Sequence, residues 1–436
     1  MGDGDAVRWS LAVRRSAPGS RTTWVELFYD LVFVFAFLSV TTLTASVFTP
    51  VNLYRFLLVL ALLWWSWTGF ARMGNAFRAD QGMLPLVGVV TVAATFLLVL
   101  STPSAFATNR EGWLPGPLVF AACYFVIRTA QLTVFAWADR ADPARRRGLR
   151  IRFLAPTVAT VLLVVAGTLP GRLAHGRFAV GLQLALWTLA LLVEYIAGAI
   201  LARQWWVVIS AGHWAERHAL IVLVALGESL IALGLGPKRG LPLTGPVAVA
   251  ALLGVVIVAA LWWAYFDTLR FALEQALHQA RDPAARLRLA RTVYTFLHLP
   301  MVAGIIFFAL GLKDLLAEAA SPTTPAWGPE LGVLWAGVLF GGVGIYLLSL
   351  AGCWWLAERR ARTPLLVTVL VLAAAVPAVA RLHELNALAA LAVLTCAGVA
   401  WETRGEDDRR RRVRRLALEE QIAAEAEQSR WREGHL

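Results

Sequence analysis

The sequence has little charge. Only 16% of its 436 residues are Asp, Glu, Lys or Arg, whereas 59% are hydrophobic. Soluble domains contain about 25% charged residues, so this balance argues against an ordinary soluble domain and favours a membrane protein. Cysteine is scarce too. Cys123, Cys353 and Cys396 lie singly inside apolar segments, in a pattern that predicts neither a disulfide framework nor a metal-binding cysteine cluster.

Several catalytic motifs are also missing. The sequence contains no glycine-rich phosphate loop followed by Lys-Ser/Thr, no Gly-x-Ser-x-Gly elbow and no His-Glu-x-x-His motif. These absences argue against a P-loop NTPase, an α/β-hydrolase and a zincin protease. We predict no cofactor and assign no catalytic residue, and the sequence leaves any metal ligand unknown. It therefore favours a protein that is not an enzyme.

Long apolar runs are what the chain has in abundance. A helix of about 20 apolar residues crosses the hydrocarbon core of a bilayer. Twelve such segments occur, at residues 24–46, 53–73, 83–101, 116–138, 151–169, 178–200, 215–236, 246–269, 292–316, 330–356, 364–381 and 385–402. The predicted fold is therefore all-α, a polytopic membrane bundle of about twelve transmembrane helices.

The distribution of positive charge predicts the orientation. A net charge of +12 is compatible with nucleic-acid binding, but the cations cluster in alternate loops. Lys and Arg gather on the cytoplasmic side of membrane proteins. The basic amino terminus, 1–22, and the helical tail, 404–436, are therefore predicted to be cytoplasmic. We expect a multi-pass protein of the cell (plasma) membrane, surrounded by lipid bilayer and without a nucleic-acid partner. The oligomeric state is unknown from sequence.

The two halves of the chain resemble each other weakly. AlaLeuLeuTrpTrpSerTrp at 61–67 is similar to AlaAlaLeuTrpTrpAlaTyr at 259–265. Each stretch follows a helix that opens with a glutamate and precedes a helix containing Leu-Pro. We predict two parallel six-helix repeats, 23–200 and 201–403, related by an axis along the membrane normal. Chance similarity between Trp-rich apolar helices is the alternative.

Glu228 lies near the middle of an apolar segment, 212–236. A charge at that depth costs about 2.5–3.5 kcal/mol on insertion scales, so this carboxyl needs a proton, a partner or a water-filled cavity. Arg128 lies at a similar predicted depth, about 15 Å along its own helix. We therefore consider Arg128 as a partner of Glu228, either in a functional site or in an ion pair that fixes helix register.

Further ionisable residues lie within or at the ends of apolar segments: Glu26, Asp30, Glu194, Asp267 and His298. Glu26 and Asp30 share one helix face, where they can share a proton or hold a cation. Alternatively, Glu26 simply favours the helix dipole. Glu194 can snorkel or pair with Arg203. His298 is a proton-relay candidate or a packing residue, and His218 is expected at the membrane interface.

Four motifs carry a resemblance to a known family. They are GluLeuPheTyrAspLeuValPheValPheAla at 26–36, ArgHisAlaLeuIleValLeuValAlaLeuGlyGluSer at 217–229, LeuTrpTrpAlaTyrPheAsp at 261–267 and HisLeuProMetValAlaGlyIle at 298–305. The chain resembles the bacterial low temperature requirement protein A (LtrA) family of polytopic membrane proteins. The resemblance implies motif positions at Glu26, Asp30, Glu228, Asp267 and His298, whereas His218 departs from the family pattern. The family name reflects a growth phenotype and implies no biochemical activity.

Three functions remain open from the sequence. The first is a secondary, proton-coupled transporter of an unidentified small solute, with Glu228 as the coupling carboxylate and with Asp30 and His298 passing protons to the cytoplasm. The second is an intramembrane enzyme acting on a lipid-like substrate, in which Asp30, Asp267 and His298 converge near the cytoplasmic face as acid–base groups or metal ligands. The third is a membrane stress or cold-adaptation factor, or a sensor, that depends on its basic tail.

Overall fold

The chain is predominantly helical in its described parts. The computed structural model describes residues 15–17, 19–46, 48–107, 114–140, 143–205, 208–235, 244–321, 325, 327–404 and 407–435. The α-helices are α1 Trp24–Ser46, α2 Pro50–Ala76, α3 Leu84–Ser101, α4 Gly116–Ala138, α5 Pro143–Thr168, α6 Pro170–Leu173, α7 Arg177–Trp205, α8 Ala211–Leu235, α9 Gly245–Phe266, α10 Leu269–Gln279, α11 Pro283–Leu289, α12 His298–Ala319, α13 Gly332–Glu358, α14 Thr363–Val379, α15 Glu384–Arg404 and α16 Asp407–His435. The predicted all-α class is confirmed.

Within the described residues, ten helical stretches are long and apolar enough to cross a bilayer. Two predicted segments correspond instead to shorter apolar helices, Arg152–Thr168 and Thr363–Val379. The first is short because the amino-terminal part of α5 is basic. The second contains Pro377 near its end, and proline removes a backbone donor within a helix. The polytopic helical bundle is confirmed, with ten long helices and two shorter ones in place of the twelve predicted segments.

Local sequence explains where several helices begin. Proline occupies one of the first two positions of α2, α3, α4 and α9, where its fixed φ suits the helix and its missing N–H is not needed. The Thr49 hydroxyl accepts a hydrogen bond from the Asn52 N–H at 3.1 Å, and Thr244 caps α9 in the same way. Such caps satisfy a backbone donor that has no partner within the helix.

The chain forms two compact units. Unit 1 comprises Met1–Glu228 and Asp282–Arg291. Within it, α3 packs against α1 and α4, and α5 packs against α4 and α7. Helix α2 contacts α1, α4 and α7, and most of its residues are buried. This central position explains why α2 carries large buried side chains, including Trp64, Trp65 and Trp67.

Three segments that are predicted to be cytoplasmic meet at one end of unit 1. The Ser16 N–H donates to the Ala76 carbonyl at 3.0 Å. The Asn75 side chain donates to the Ser210 carbonyl at 2.7 Å, and the Ser210 hydroxyl donates to the Ser20 carbonyl at 3.0 Å. The amino-terminal segment, the end of α2 and the start of α8 are therefore tied together. Their common placement fits the alternation of basic loops.

Unit 2 comprises Ser229–Arg281 and Thr292–Leu436. Within it, α13 packs against α12 and α14, while α15 packs against α9 and α14. Gly304 and Gly342 allow α12 and α13 to touch, because a Cβ on Gly304 would lie 2.5 Å from the Gly342 carbonyl oxygen. At one end, the Leu331 N–H donates to the Leu382 carbonyl at 3.0 Å. This bond joins two loops that are both predicted to be external.

The boundary between the units falls inside α8, between Glu228 and Ser229. The predicted repeats instead divide after residue 200, and the duplication stays a prediction. The predicted helical tail corresponds to α16 within unit 2. Its Arg414 forms an ion pair with Asp267, which follows the last residue of α9.

Candidate functional site

Polar contacts join α1 to α8 in a regular series within unit 1. Three pairs have the same sequence separation of 187 residues, and we call them the α1–α8 ladder: Glu26–His213, Asp30–Arg217 and Thr41–Glu228. A constant separation requires the two helices to run parallel and in register. The predicted topology places five membrane-crossing segments between these two helices, and an odd number of intervening crossings also gives a parallel pair.

Asp30 and Arg217 form the central pair of the ladder. The Asp30 carboxylate accepts from Arg217 Nη1 at 2.5 Å and from Nη2 at 2.8 Å, and Trp67 Nε1 donates to it at 2.8 Å. Arg217 is completely buried and Asp30 is 3% exposed. Two parallel N–H···O bonds from a guanidinium are a strong, orientation-specific contact. A buried ion pair of this kind fixes how α1 and α8 meet. Removing either partner would leave the other as an uncompensated buried charge, which is strongly destabilising.

Glu26 combines a local role with a long-range one. It accepts from the Thr23 N–H and hydroxyl, both at 2.9 Å, and the bond from the Thr23 N–H is one half of a helix capping box. Its other oxygen contacts His213 Nε2 at 2.9 Å and lies 3.7 Å from Arg217 Nε. Gly74 of α2 faces this carboxylate so closely that an added Cβ would overlap it. The helix-terminus role of Glu26 is therefore real, but the residue also belongs to the buried cluster.

Glu228 occupies the far end of the ladder. Its Oε1 lies 2.7 Å from the Thr41 hydroxyl, and the residue is completely buried. Eleven positions separate it from Arg217, or about 16 Å along α8. Phe33 and Phe37 of α1, both 1% exposed, lie between the two polar ends of the ladder in sequence. The ladder therefore has polar groups at two depths with an apolar stretch between them.

Arg128 belongs to a second buried network in unit 1. Its Nε and Nη2 donate to the Glu194 carboxylate at 3.2 and 3.1 Å, and Trp65 Nε1 donates to the same group at 2.9 Å. Arg128 Nη1 also donates to Gln131 at 2.8 Å. The suggested pairing of Arg128 with Glu228 is thus replaced by a two-bond pair with Glu194. The reason is that α4 and α7, which carry these residues, both pack on α2.

Two other sequence candidates lie in unit 2 and have protein partners. His298 Nδ1 bonds the Val293 carbonyl at 2.9 Å, so it carries the proton, and Nε2 accepts from the Tyr265 hydroxyl at 3.0 Å. The preceding π-helix, Ala290–Leu297, brings that carbonyl into reach. Asp267 pairs with Arg414. Among the residues that the structure describes, no three His, Cys, Asp or Glu side chains come together as a metal-ligand group.

Sequence reasoning missed several members of the ladder. Arg217 was visible on the same helical face as Glu228 but was not selected. His213 lies four residues before Arg217, just as Glu26 lies four residues before Asp30. This matched spacing on two helices was the available signal. His218 is completely buried in the protein and its ring centroid lies 4.9 Å from that of Trp67, and its position at the membrane interface stays a prediction.

Many long apolar helices, with ion pairs buried among them, define a multi-pass integral membrane protein. The family model for the Bacterial low temperature requirement A protein (LtrA) matches residues 21–400, and the chain belongs to this family. It is similar to a protein of Rhizobium meliloti (strain 1021) described as "Uncharacterized protein RA0937". The two are 27% identical over 312 residues, which cover 69% of this chain and 70% of the relative. No solved structure matches the chain.

Proposed function

We propose that the protein is a secondary transporter that couples the movement of a small solute to the movement of protons. The observation that carries this proposal is the cluster of Glu26, Asp30 and Arg217, which is buried between membrane-spanning helices. Ionisable groups inside a membrane are costly, and they commonly mark ion pathways and proton relays. A purely structural role needs one matched pair, whereas this cluster has two acids for one guanidinium.

The arrangement of the ladder supports a transport cycle. Asp30 and Glu228 lie at different depths on one pair of parallel helices, and buried phenylalanines separate them in sequence. In secondary transporters, substrate and ion sites near the bilayer midplane become accessible from each side in turn. We assign Glu26 and Asp30 to the predicted cytoplasmic side and Glu228 to the deeper coupling position.

The experiment measures proton movement into or out of proteoliposomes that contain a pH-sensitive dye. Candidate solutes are added outside, one chemical class at a time. Glu228→Gln keeps the size of the side chain and removes its titration, so it should leave the protein folded but abolish solute-dependent proton movement. Glu228→Asp should retain part of it. The matched control is Glu419→Gln, which removes an exposed carboxyl on α16. Solute-dependent proton movement in Glu228→Gln equal to that of the unaltered protein would remove this carboxyl from the mechanism.

A sensor function has one observation in its favour. The ion pair between Arg414 and Asp267 attaches α16 to the end of α9 within unit 2. A tail whose position reports the state of the bundle would need such a contact. Arg414→Gln separates the two functions, because a sensor should lose its growth phenotype whereas the transporter should keep its solute-dependent proton movement.

A further inference from the structure

We infer that the cluster of Glu26, Asp30 and Arg217 takes up one proton and that Asp30 receives it. The Arg217 guanidinium then exchanges its ion pair with Asp30 for one with Glu26. Asn75 keeps His213 from taking the proton instead. The inference deepens the proposed function and rests on it only for the role of this proton in transport. It assigns a positioning role to Asn75, a residue that the sequence did not single out.

The first step is the charge balance of the cluster. Glu26 and Asp30 are two acids, and both contact Arg217, at 3.7 Å and 2.5 Å. All three side chains are at least 95% buried. With both acids ionised the cluster carries one surplus negative charge. A buried, uncompensated charge is costly, so the cluster favours the uptake of one positive charge.

The second step is the tautomer of His213. The Asn75 Oδ1 accepts from the Ile209 N–H at 2.9 Å, so the orientation of the amide is fixed and its Nδ2 must be a donor. Nδ2 donates to the Ser210 carbonyl at 2.7 Å and faces His213 Nδ1 at 3.3 Å. His213 Nδ1 is therefore an acceptor, and its Nε2 carries the hydrogen that is donated to Glu26. A second proton on Nδ1 would point at the Asn75 amino group, so this contact opposes the formation of an imidazolium at His213.

The third step is the choice between the two acids. Glu26 accepts from three donors that do not depend on Arg217, namely the Thr23 N–H, the Thr23 hydroxyl and His213. These donors stabilise its charged form. Asp30 depends on Arg217 for two of its three bonds. Arg217 Nε has no hydrogen-bond partner in the described structure and faces Glu26. Arg217 can therefore exchange Asp30 for Glu26 through a small displacement.

The proton comes from a hydronium ion in the adjoining water. One O–H bond of hydronium breaks and leaves water, an O–H bond forms on Asp30, and the ion pair of Arg217 with Asp30 is replaced by one with Glu26. The other titratable or charged groups around the cluster are Tyr29 on α1, Glu216 and His218 on α8, Arg128 on α4, and Asp80 after α2. Helix α3 contributes no ionisable side chain. Trp67 and Asn75 of α2 face the cluster without titrating.

The test uses the full chain in lipid nanodiscs. Infrared difference spectra between low and high pH should show a carboxylic acid C=O band that shifts when aspartate is labelled with ¹³C and does not shift when glutamate is labelled. The band should disappear in Asp30→Asn and remain in Glu419→Gln. In Glu26→Gln the cluster is neutral without an added proton, so the band should appear only at lower pH. A band that shifts with glutamate labelling, or that survives Asp30→Asn, would overturn the inference.

The ¹⁵N spectrum of histidine tests the role of Asn75. His213, assigned by its loss in His213→Gln, should remain neutral with hydrogen on Nε2 across the pH range in which the band appears. In Asn75→Asp the new carboxylate can accept from Nδ1, so His213 should become an imidazolium. An imidazolium at His213 in the unaltered protein would overturn the inference. The isotope-edited bands need no variant, so they distinguish an aspartate proton from a glutamate proton even if a substitution prevents folding, and a glutamate band would still overturn the inference. If the aspartate band appears but no solute drives proton movement, the transport proposal is contradicted, whereas the assignment of the proton to Asp30 stands.

Discussion

Trp65 and Trp67 lie two positions apart on α2 and donate their indole N–H groups to two different buried carboxylates. Trp65 Nε1 lies 2.9 Å from Glu194, and Trp67 Nε1 lies 2.8 Å from Asp30. Two residues along a helix correspond to a rotation of about 200° around its axis, so the two side chains lie on nearly opposite faces. Helix α2 therefore separates a matched ion pair on one side from a cluster with two acids and one guanidinium on the other.

Replacing each tryptophan in turn by phenylalanine should distinguish the contribution of these hydrogen bonds to stability from their contribution to proton movement. Trp67→Phe and Trp65→Phe each remove one hydrogen bond to a charged group, worth about 1.5–3 kcal/mol of stability. We expect similar losses of thermal stability in detergent for the two variants. Only Trp67→Phe should alter the pH dependence of solute-linked proton movement, because only Trp67 contacts Asp30. Equal changes in pH dependence would contradict the division of the two networks.

The pair of Arg128 and Glu194 should behave as a structural ion pair. Removing one partner strands the other, so Arg128→Gln and Glu194→Gln should each lower stability by about 3–5 kcal/mol. The double variant should recover much of this loss, since no buried charge remains. Thermal unfolding of both single variants and the double variant measures the coupling. A double variant that is as unstable as the sum of the two single variants would show that the residues act independently.

Gly74 should resist the addition of a single methyl group. A Cβ at this position overlaps the Glu26 carboxylate, whereas a Cβ on Gly227 meets nothing within 4 Å. Overpacking a buried site costs about 1–3 kcal/mol. Gly74→Ala should therefore destabilise the protein and displace Glu26 from His213, while Gly227→Ala serves as the matched control. Thermal unfolding together with the ¹⁵N shift of His213 measures both effects, and an unperturbed His213 in Gly74→Ala would count against this geometry.

The predicted orientation can be tested by cysteine accessibility. Single cysteines near residues 110, 175 and 320 should react with a membrane-impermeant reagent added outside intact cells, and tags at residues 1 and 436 should be accessible only after lysis. The alternation of basic loops motivates this outcome. Labelling at 175 only from the cytoplasm would refute the twelve-segment topology.

The sequence by itself determined the class of the protein and its family. Run length, hydropathy and the alternation of basic loops are local properties, so the apolar segments and the all-α bundle followed from them. The acids Glu26, Asp30, Glu194 and Glu228 were equally visible, because a charge within an apolar run stands out whatever lies beside it.

Only the tertiary structure decided the partners of these acids. Arg128 and Glu194 are 66 residues apart, and Asp30 and Arg217 are 187 apart. Membrane helices are apolar on most faces, so their periodicity does not reveal which neighbours they touch. Glu194 meets Arg128 because α4 and α7 both pack on α2, and Asp30 meets Arg217 because α1 and α8 run parallel in register. Helix adjacency, which depends on how the apolar surfaces of distant segments fit together, therefore set the chemistry of the site.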